Sequence, residues 1–206
     1  MATYYLPLWY QATKGVTATK SGLDILPYML STVVGAALSG AIISKTGRYW
    51  PFLVISPLVF SVGAGLLYTV DAKTANAAVI GFQILYGVGV GGAMQNTIIS
   101  IQAEFSGDPE SEAMIPQATS LVNFTQLIGG VIGIAIAGTV FSNQLSGNLP
   151  KDLDPEIAKA VAQSVLVIKT LPDALRGIVI DAYVKSLRYV FIIAVPAGAF
   201  ASLSAL

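Results

Sequence analysis

Residues 77–101 read AAVIGFQILYGVGVGGAMQNTIISI, a run without one ionised side chain. An α-helix rises 1.5 Å per residue, so roughly 20 such residues cross the ~30 Å hydrocarbon layer of a bilayer. The run is long enough to do so. Its GVGVGG segment (87–92) has the G-x-G-x-x-G spelling of a dinucleotide-binding turn. That turn needs a short strand before it and a soluble helix after it, and an unbroken apolar run of membrane length supplies neither.

Working outward, four more runs reach the same length: 23–44, with Asp24 at its start, 51–70, 117–142 and 187–206, the last entered by Arg188. Composition agrees, with 54% hydrophobic and 11% charged residues, against about 25% charged in a soluble domain. Eleven basic and eleven acidic residues cancel, so no nucleic-acid partner is expected. The chain has no cysteine and no histidine. Disulfides, thiolate metal sites and the usual general base are thereby excluded, and no metal, cofactor or enzymatic centre is expected. The first residues lack the basic and long apolar regions of a signal peptide and carry instead an aromatic cluster, Tyr4 to Tyr10, suited to the lipid–water interface. Residues 1–13 therefore read as the end of a helix whose beginning lies upstream.

Short connections at 45–50, 71–76 and 102–116 make consecutive spans antiparallel neighbours, because lipid tolerates no unsatisfied backbone. The expected fold class is an all-α integral membrane helical bundle. The long connection, 143–186, holds two amphipathic patterns. In the first, Asp154 caps Pro155 and is followed by Ile157, Val161, Val165 and Ile168; the second has Leu175, Val179, Ala182 and Ser186. They are expected on the membrane surface or over the bundle mouth, with a plain solvated connector as the alternative. The glycosylation spelling at Asn123 falls inside a span and is inert.

Small and amide residues recur at helical spacing. In the third span Gln83, Gly87, Gly91 and Gln95 stand four apart. In the fourth, Thr119, Asn123, Gln126, Gly130, Gly133 and Ala137 alternate steps of four and three, and in the first Pro27, Ser31, Gly35 and Ser39 repeat. Glycines such as Gly35, Gly87, Gly91, Gly130 and Gly133 permit close helix packing. Neutral amides in hydrocarbon need partners, either another helix or a solvent-lined path. On the second reading Gln83, Tyr86, Gln95, Asn123 and Gln126 line a substrate path; helix packing is the competing reading.

The first span runs into GAIISKTGR (40–48). Gly40, followed by Lys45 and the Gly47-Arg48 pair in a tight hairpin between spans, resembles the hairpin motif of the major facilitator superfamily. YYLPLWYQATKGV (4–16), YGVGVGGAMQ (86–95) and the long loop before the last helix are similar to the fungal fourteen-helix drug:proton antiporter branch. The likeness covers almost the whole chain. It implies the C-terminal part of that fold, with an N-terminal helical half missing, a cytoplasmic hairpin, and a gating role for Gly40, Ser44, Lys45, Gly47 and Arg48. Ser44 stands where the motif usually has an acidic residue, which leaves the gating charge pair incomplete. Lys45 and Arg48 read equally as positive-inside anchors. Charge alone does not orient the chain, since the long loop also carries Lys151, Lys159, Lys169, Arg176 and Lys185.

The implied activity is alternating-access efflux of small organic molecules such as drugs, toxins or secondary metabolites, coupled to inward proton movement. The plasma membrane is favoured over the vacuole. No Asp, Glu, Lys or Arg sits near the middle of a span, so a proton-carrying carboxylate would belong to the missing half. The alternatives are a truncated membrane protein that transports nothing and a small oligomeric channel or scaffold.

Overall fold

Chain-breaking signals between the apolar runs set the helices of the computed structural model, which describes residues 1–151 and 153–206. Helix α1 (Ala2–Lys14) ends at Gly15, whose φ of 60° a side chain rarely adopts. Thr17 then caps α2 (Ala18–Asp24) by accepting from Lys20 N at 3.2 Å. After a break at Ile25, α3 (Leu26–Thr46) runs to Gly47, where φ is 68° and the amide donates to Ile43 O at 2.7 Å. The hairpin leads into α4 (Trp50–Tyr68), and α5 (Asn76–Glu104) follows the next turn. A four-residue helix α6 (Pro109–Glu112) precedes α7 (Ile115–Asn148). Asp154 accepts from Glu156 N at 2.8 Å to start α8 (Pro155–Gln163); a 3₁₀ segment (Val165–Thr170) and α9 (Asp173–Leu203) complete the chain. No strand occurs among the described residues.

Four stretches are long and apolar enough to cross a membrane: Ala18–Thr46, Trp50–Tyr68, Asn76–Glu104 and Ile115–Asn148. The chain is a multi-pass membrane protein built as a helical bundle. The run 187–206 lies mostly in the distal part of α9, a 31-residue helix. That helix starts earlier than residue 187, because nothing between Asp173 and Arg188 breaks it. The expected 143–186 loop is correspondingly shorter. Residues 143–148 prolong α7, and Leu175, Val179, Ala182 and Ser186 belong to the first turns of α9 rather than to a separate surface helix.

Within the bundle α5 packs between α3 and α4, α9 lies on the other side of α4, and α7 follows against α9. Helix α1 is wedged against α9, with Leu6, Trp9 and Tyr10 nearly sealed off. A second core forms where α8 and the 3₁₀ segment fold back over the ends of α1, α7 and α9. Val161, Val165, Ile168 and Leu171 there meet Leu145, Val179 and Tyr183, and the Tyr183 hydroxyl donates to Val161 O at 2.6 Å. The first amphipathic pattern thus covers the bundle end.

Candidate functional site

Helix α5 presents two glycine edges, and each admits a neighbouring backbone. Toward α3, a Cβ on Gly87 would strike Ser31 and Tyr28 O, and one on Gly91 would strike Thr32 O; from the other side a Cβ on Gly35 would lie 2.6 Å from Val88 O. Toward α4, the space beside Gly89 is taken by Phe60 and that beside Gly92 by Ser56, while a Cβ on Gly63 would sit 2.6 Å from Tyr86 Cα. Real Cβ contacts are not this short, so both seams require the missing side chain. Gly198 plays the same part for α9, where Pro57 O comes within 2.8 Å of its Cβ position.

At one end of the α3–α5 seam lies a polar node. Gln83, wholly buried, donates through Nε2 to the Tyr10 hydroxyl at 2.9 Å and to Asp24 O at 3.3 Å. Asp24 is the last residue of α2, so one amide ties α1, α5 and the α2–α3 break together. Gln83 Oε1 and the Trp9 Nε1 hydrogen stay without partners among the described residues. Tyr86 is also buried, its ring centroid 5.6 Å from Tyr28 and 4.9 Å from Phe60. Both residues face inward to the bundle rather than to an open passage.

The other expected path residues are elsewhere. Gln95 is exposed, twelve residues and 120° round the helix from Gln83 at 100° per residue. Asn123 is exposed and Gln126 half-buried on α7. The expectation that Gly130 and Gly133 pack a helix fails within this chain. Nothing lies within 4 Å of a Cβ on Gly130, and only Met1 Cε, at 3.7 Å, approaches one on Gly133. The reason is that α7 is buried only farther along its length, at Ala137 of the same stripe and at Leu145, while its first half leaves Leu121, Leu127 and Val131 bare.

In the hairpin, Gly47 supplies the left-handed turn, and the Ser44 hydroxyl donates to Ala41 O at 3.0 Å. Gly40 has open space beside it, and Lys45 and Arg48 are exposed with no ion pair among the described residues. At the opposite end, Arg188 donates from Nε to Val70 O at 2.9 Å and from Nη2 to Thr69 O at 3.4 Å, capping α4 from α9. It also lies near Asp71, whose carboxyl is held below the usual range first by the Thr74 hydroxyl and then by the Lys73 amide. Along the α4–α9 seam Ser61 donates to Val195 O at 3.0 Å, Ser202 to Val54 O at 2.9 Å, and Trp50 Nε1 to Ala205 O at 2.9 Å. Sequence reading missed Arg188 as a cap, although an arginine entering an apolar run beside a helix end was the available signal. No cluster of three or more metal-ligating side chains exists among the described residues.

Comparison with known proteins bears on this arrangement. The sequence profile of the Major Facilitator Superfamily matches residues 1–134. The MFS-type transporter astH of Aspergillus oryzae is 40% identical over 195 residues, covering 94% of this chain and 34% of that protein. The efflux pump bfoC of Aspergillus brasiliensis is 37% identical over 174 residues (84% and 29%), and the MFS-type transporter olcL of Penicillium canescens 34% over 206 residues (99% and 35%). The chain spans about a third of the length of these relatives.

Proposed function

The chain belongs to the major facilitator superfamily, and from that premise we propose that it is the C-terminal helical part of a secondary transporter that exports small, weakly polar organic molecules. The names of its relatives, MFS-type transporter and efflux pump, support the class. The observation that carries the reading is the asymmetry of the bundle. Helices α3, α4, α5 and α9 are locked by glycine and hydroxyl seams, whereas α7 turns a bare face carrying Asn123, Gln126, Gly130 and Gly133 away from them. A second bundle meeting that face would enclose a path lined by neutral amides, the lining that suits apolar cargo held by stacking and a few hydrogen bonds.

In this proposal the 47–49 hairpin is cytoplasmic, with Lys45 and Arg48 as its anchors, and the membrane is the plasma membrane. Proton antiport is the driving reaction, with the titrating carboxylate outside this chain, because Asp24, Asp71 and Glu104 all stand at helix ends. An efflux-deficient yeast tests the reading. Expressed alone, the 206 residues should leave accumulation of a fluorescent drug at the empty-vector level; co-expressed with the N-terminal half of a relative, they should lower it. Export by the chain alone would refute the two-bundle proposal.

A further inference from the structure

A cavity of about 300 Å³ opens where the end of α1 meets the 3₁₀ segment and the first turns of α9. Three of the side chains around it are cationic: Lys14 from α1, Lys169 from the 3₁₀ segment and Arg176 from α9. Among the described residues no carboxylate lines it. Elements far apart in sequence thus bring positive charge to one concavity. A wall of one sign raises the local concentration of the opposite ion, the more so where low-dielectric protein backs it. Ala12, Ile168 and Ile180 supply that backing.

Two of the cations are held in place by the protein. Arg176 Nη2 donates to Lys169 O at 3.2 Å and to Leu171 O at 3.0 Å, and Nη1 pairs at 2.8 Å with Asp173, whose side chain is 93% exposed. An ion pair so open to water offsets the guanidinium charge only weakly. Lys14 Nζ lies 5.6 Å from the centroid of the Trp9 ring and donates to Thr74 O at 3.4 Å, which leaves two ammonium hydrogens for another acceptor. Neither Lys14 nor Lys169 has an ion-pair partner among the described residues. The neutral polar side chains of the lining are engaged elsewhere, Thr13 Oγ1 with Trp9 O at 2.7 Å and Gln11 Nε2 with Ser21 Oγ at 3.1 Å. Recognition in the cavity therefore falls to the charges.

We propose that this cavity binds a phosphate monoester, with the phosphate among Lys14, Lys169 and Arg176 and the carbon chain of the ester against Ile168 and Ile180. Such a group carries close to two negative charges and three acceptor oxygens, which matches three converging cations. A carboxylate brings one charge and two oxygens and leaves part of the wall uncompensated. The cavity lies at the end of the bundle opposite the hairpin, and Lys14 stands about 7.5 Å along α1 beyond Trp9. A lipid head and a dissolved ester share this chemistry and can both reach that level. The binding is independent of transport and of the orientation of the chain.

The test titrates the purified full chain, in micelles of a neutral detergent, with a short-chain phosphatidic acid and separately with glycerol 3-phosphate, read by calorimetry. At least one titration should show a single saturable site, weakened about tenfold by Lys169→Gln and by Lys14→Gln, the worth of one charge-assisted hydrogen bond. Lys159→Gln, an exposed lysine of α8 outside the cavity, should leave it unchanged. Saturable binding of phosphatidic acid alone assigns the site to a lipid head; similar affinity for both probes assigns it to a dissolved ester. The Lys169 side chain makes no hydrogen bond among the described residues, so Lys169→Gln decides should Lys14→Gln fail to fold. Absence of saturable binding in both titrations would overturn the proposal. So would binding that ignores Lys169→Gln, or that Lys159→Gln weakens as much, since either would reduce it to diffuse surface charge.

Discussion

Alanine at two glycines of similar sequence context should move stability in opposite directions. Gly130 and Gly91 both lie inside long helices, so alanine gains each about 1 kcal/mol in helix propensity. At Gly130 that is the whole effect, because nothing lies within 4 Å of the new methyl. At Gly91 the methyl meets Thr32 O and Ala36 N, backbone atoms of α3 that have no rotamer to yield. Helices α3 and α5 must separate, at an overpacking cost of about 1–3 kcal/mol, and some of the contacts along the seam would be lost with it. Taking the upper part of that range, Gly91→Ala comes out roughly 1–2 kcal/mol less stable than the parent and Gly130→Ala about 1 kcal/mol more stable. The difference of roughly 2–3 kcal/mol corresponds to a factor of about 30 to 150 in the folding equilibrium. Unfolding of the purified chain in mixed micelles, titrated with a denaturing detergent and followed by Trp fluorescence, measures it. If Gly91→Ala is stabilised as much as Gly130→Ala, the α3–α5 seam is wrong. The same pair in a full-length relative tests the second bundle, since Gly130→Ala should lose its advantage there if another helix covers α7.

Arg188→Leu should loosen the end of α4 by about 1–2 kcal/mol, less than two full charge-assisted bonds because the group is only half-buried; faster protease cleavage in the 71–76 turn would report it, and unchanged cleavage would deny the cap. Single cysteines at Thr46 and Asn148, on the natural cysteine-free background, should label from opposite sides of intact cells, because these residues end α3 and α7 at opposite ends of the bundle; labelling of both from outside would overturn the topology. The Asp71 carboxyl is lowered by its hydrogen bonds, so the order they give the turn is present above the ordinary carboxylate range and lost as pH falls through the folded value. Amide exchange at Lys73 should lose its protection on acidification, and Asp71→Asn should make that protection largely independent of pH.

Much of the bundle could be read from the sequence because membrane helices announce themselves by length and their contacts by small residues. The four-residue spacing of Gly87 and Gly91 pointed to a close contact, and α3 is there. The three-residue step at Gly130 and Gly133 meets no helix in this chain, since a pattern names an edge and not what occupies it. The reading also took only one edge of α5. Gly89, Gly92 and Asn96 fall within about 60° of one another at 100° per residue, and that second edge meets α4, but steps of three and four mixed with the first series concealed it. Following the four-spaced series to Gln95 drifted by 40° a step, away from the seam, so the chosen amide was exposed and its neighbour Asn96 was the buried one. Tyr86 and Gln83, expected as path residues, are buried against Tyr10, Tyr28 and Phe60, which come from three other helices, information that no local spacing contains.

The bonds that fasten α9 to α4 join residues 134, 148 and 155 positions apart. At 5–20 residues per second of synthesis, α4 stands for about 7 to 30 s with Ser61, Val54 and Trp50 already made before Val195, Ser202 and Ala205 exist to meet them. During that interval its flank stays exposed as an unpaired helix face. Substitutions that spoil the α9 side of this seam, at Gly198 or Ser202, would therefore act before any substrate is met, lowering the number of molecules that leave the site of synthesis while sparing the turnover of those that do.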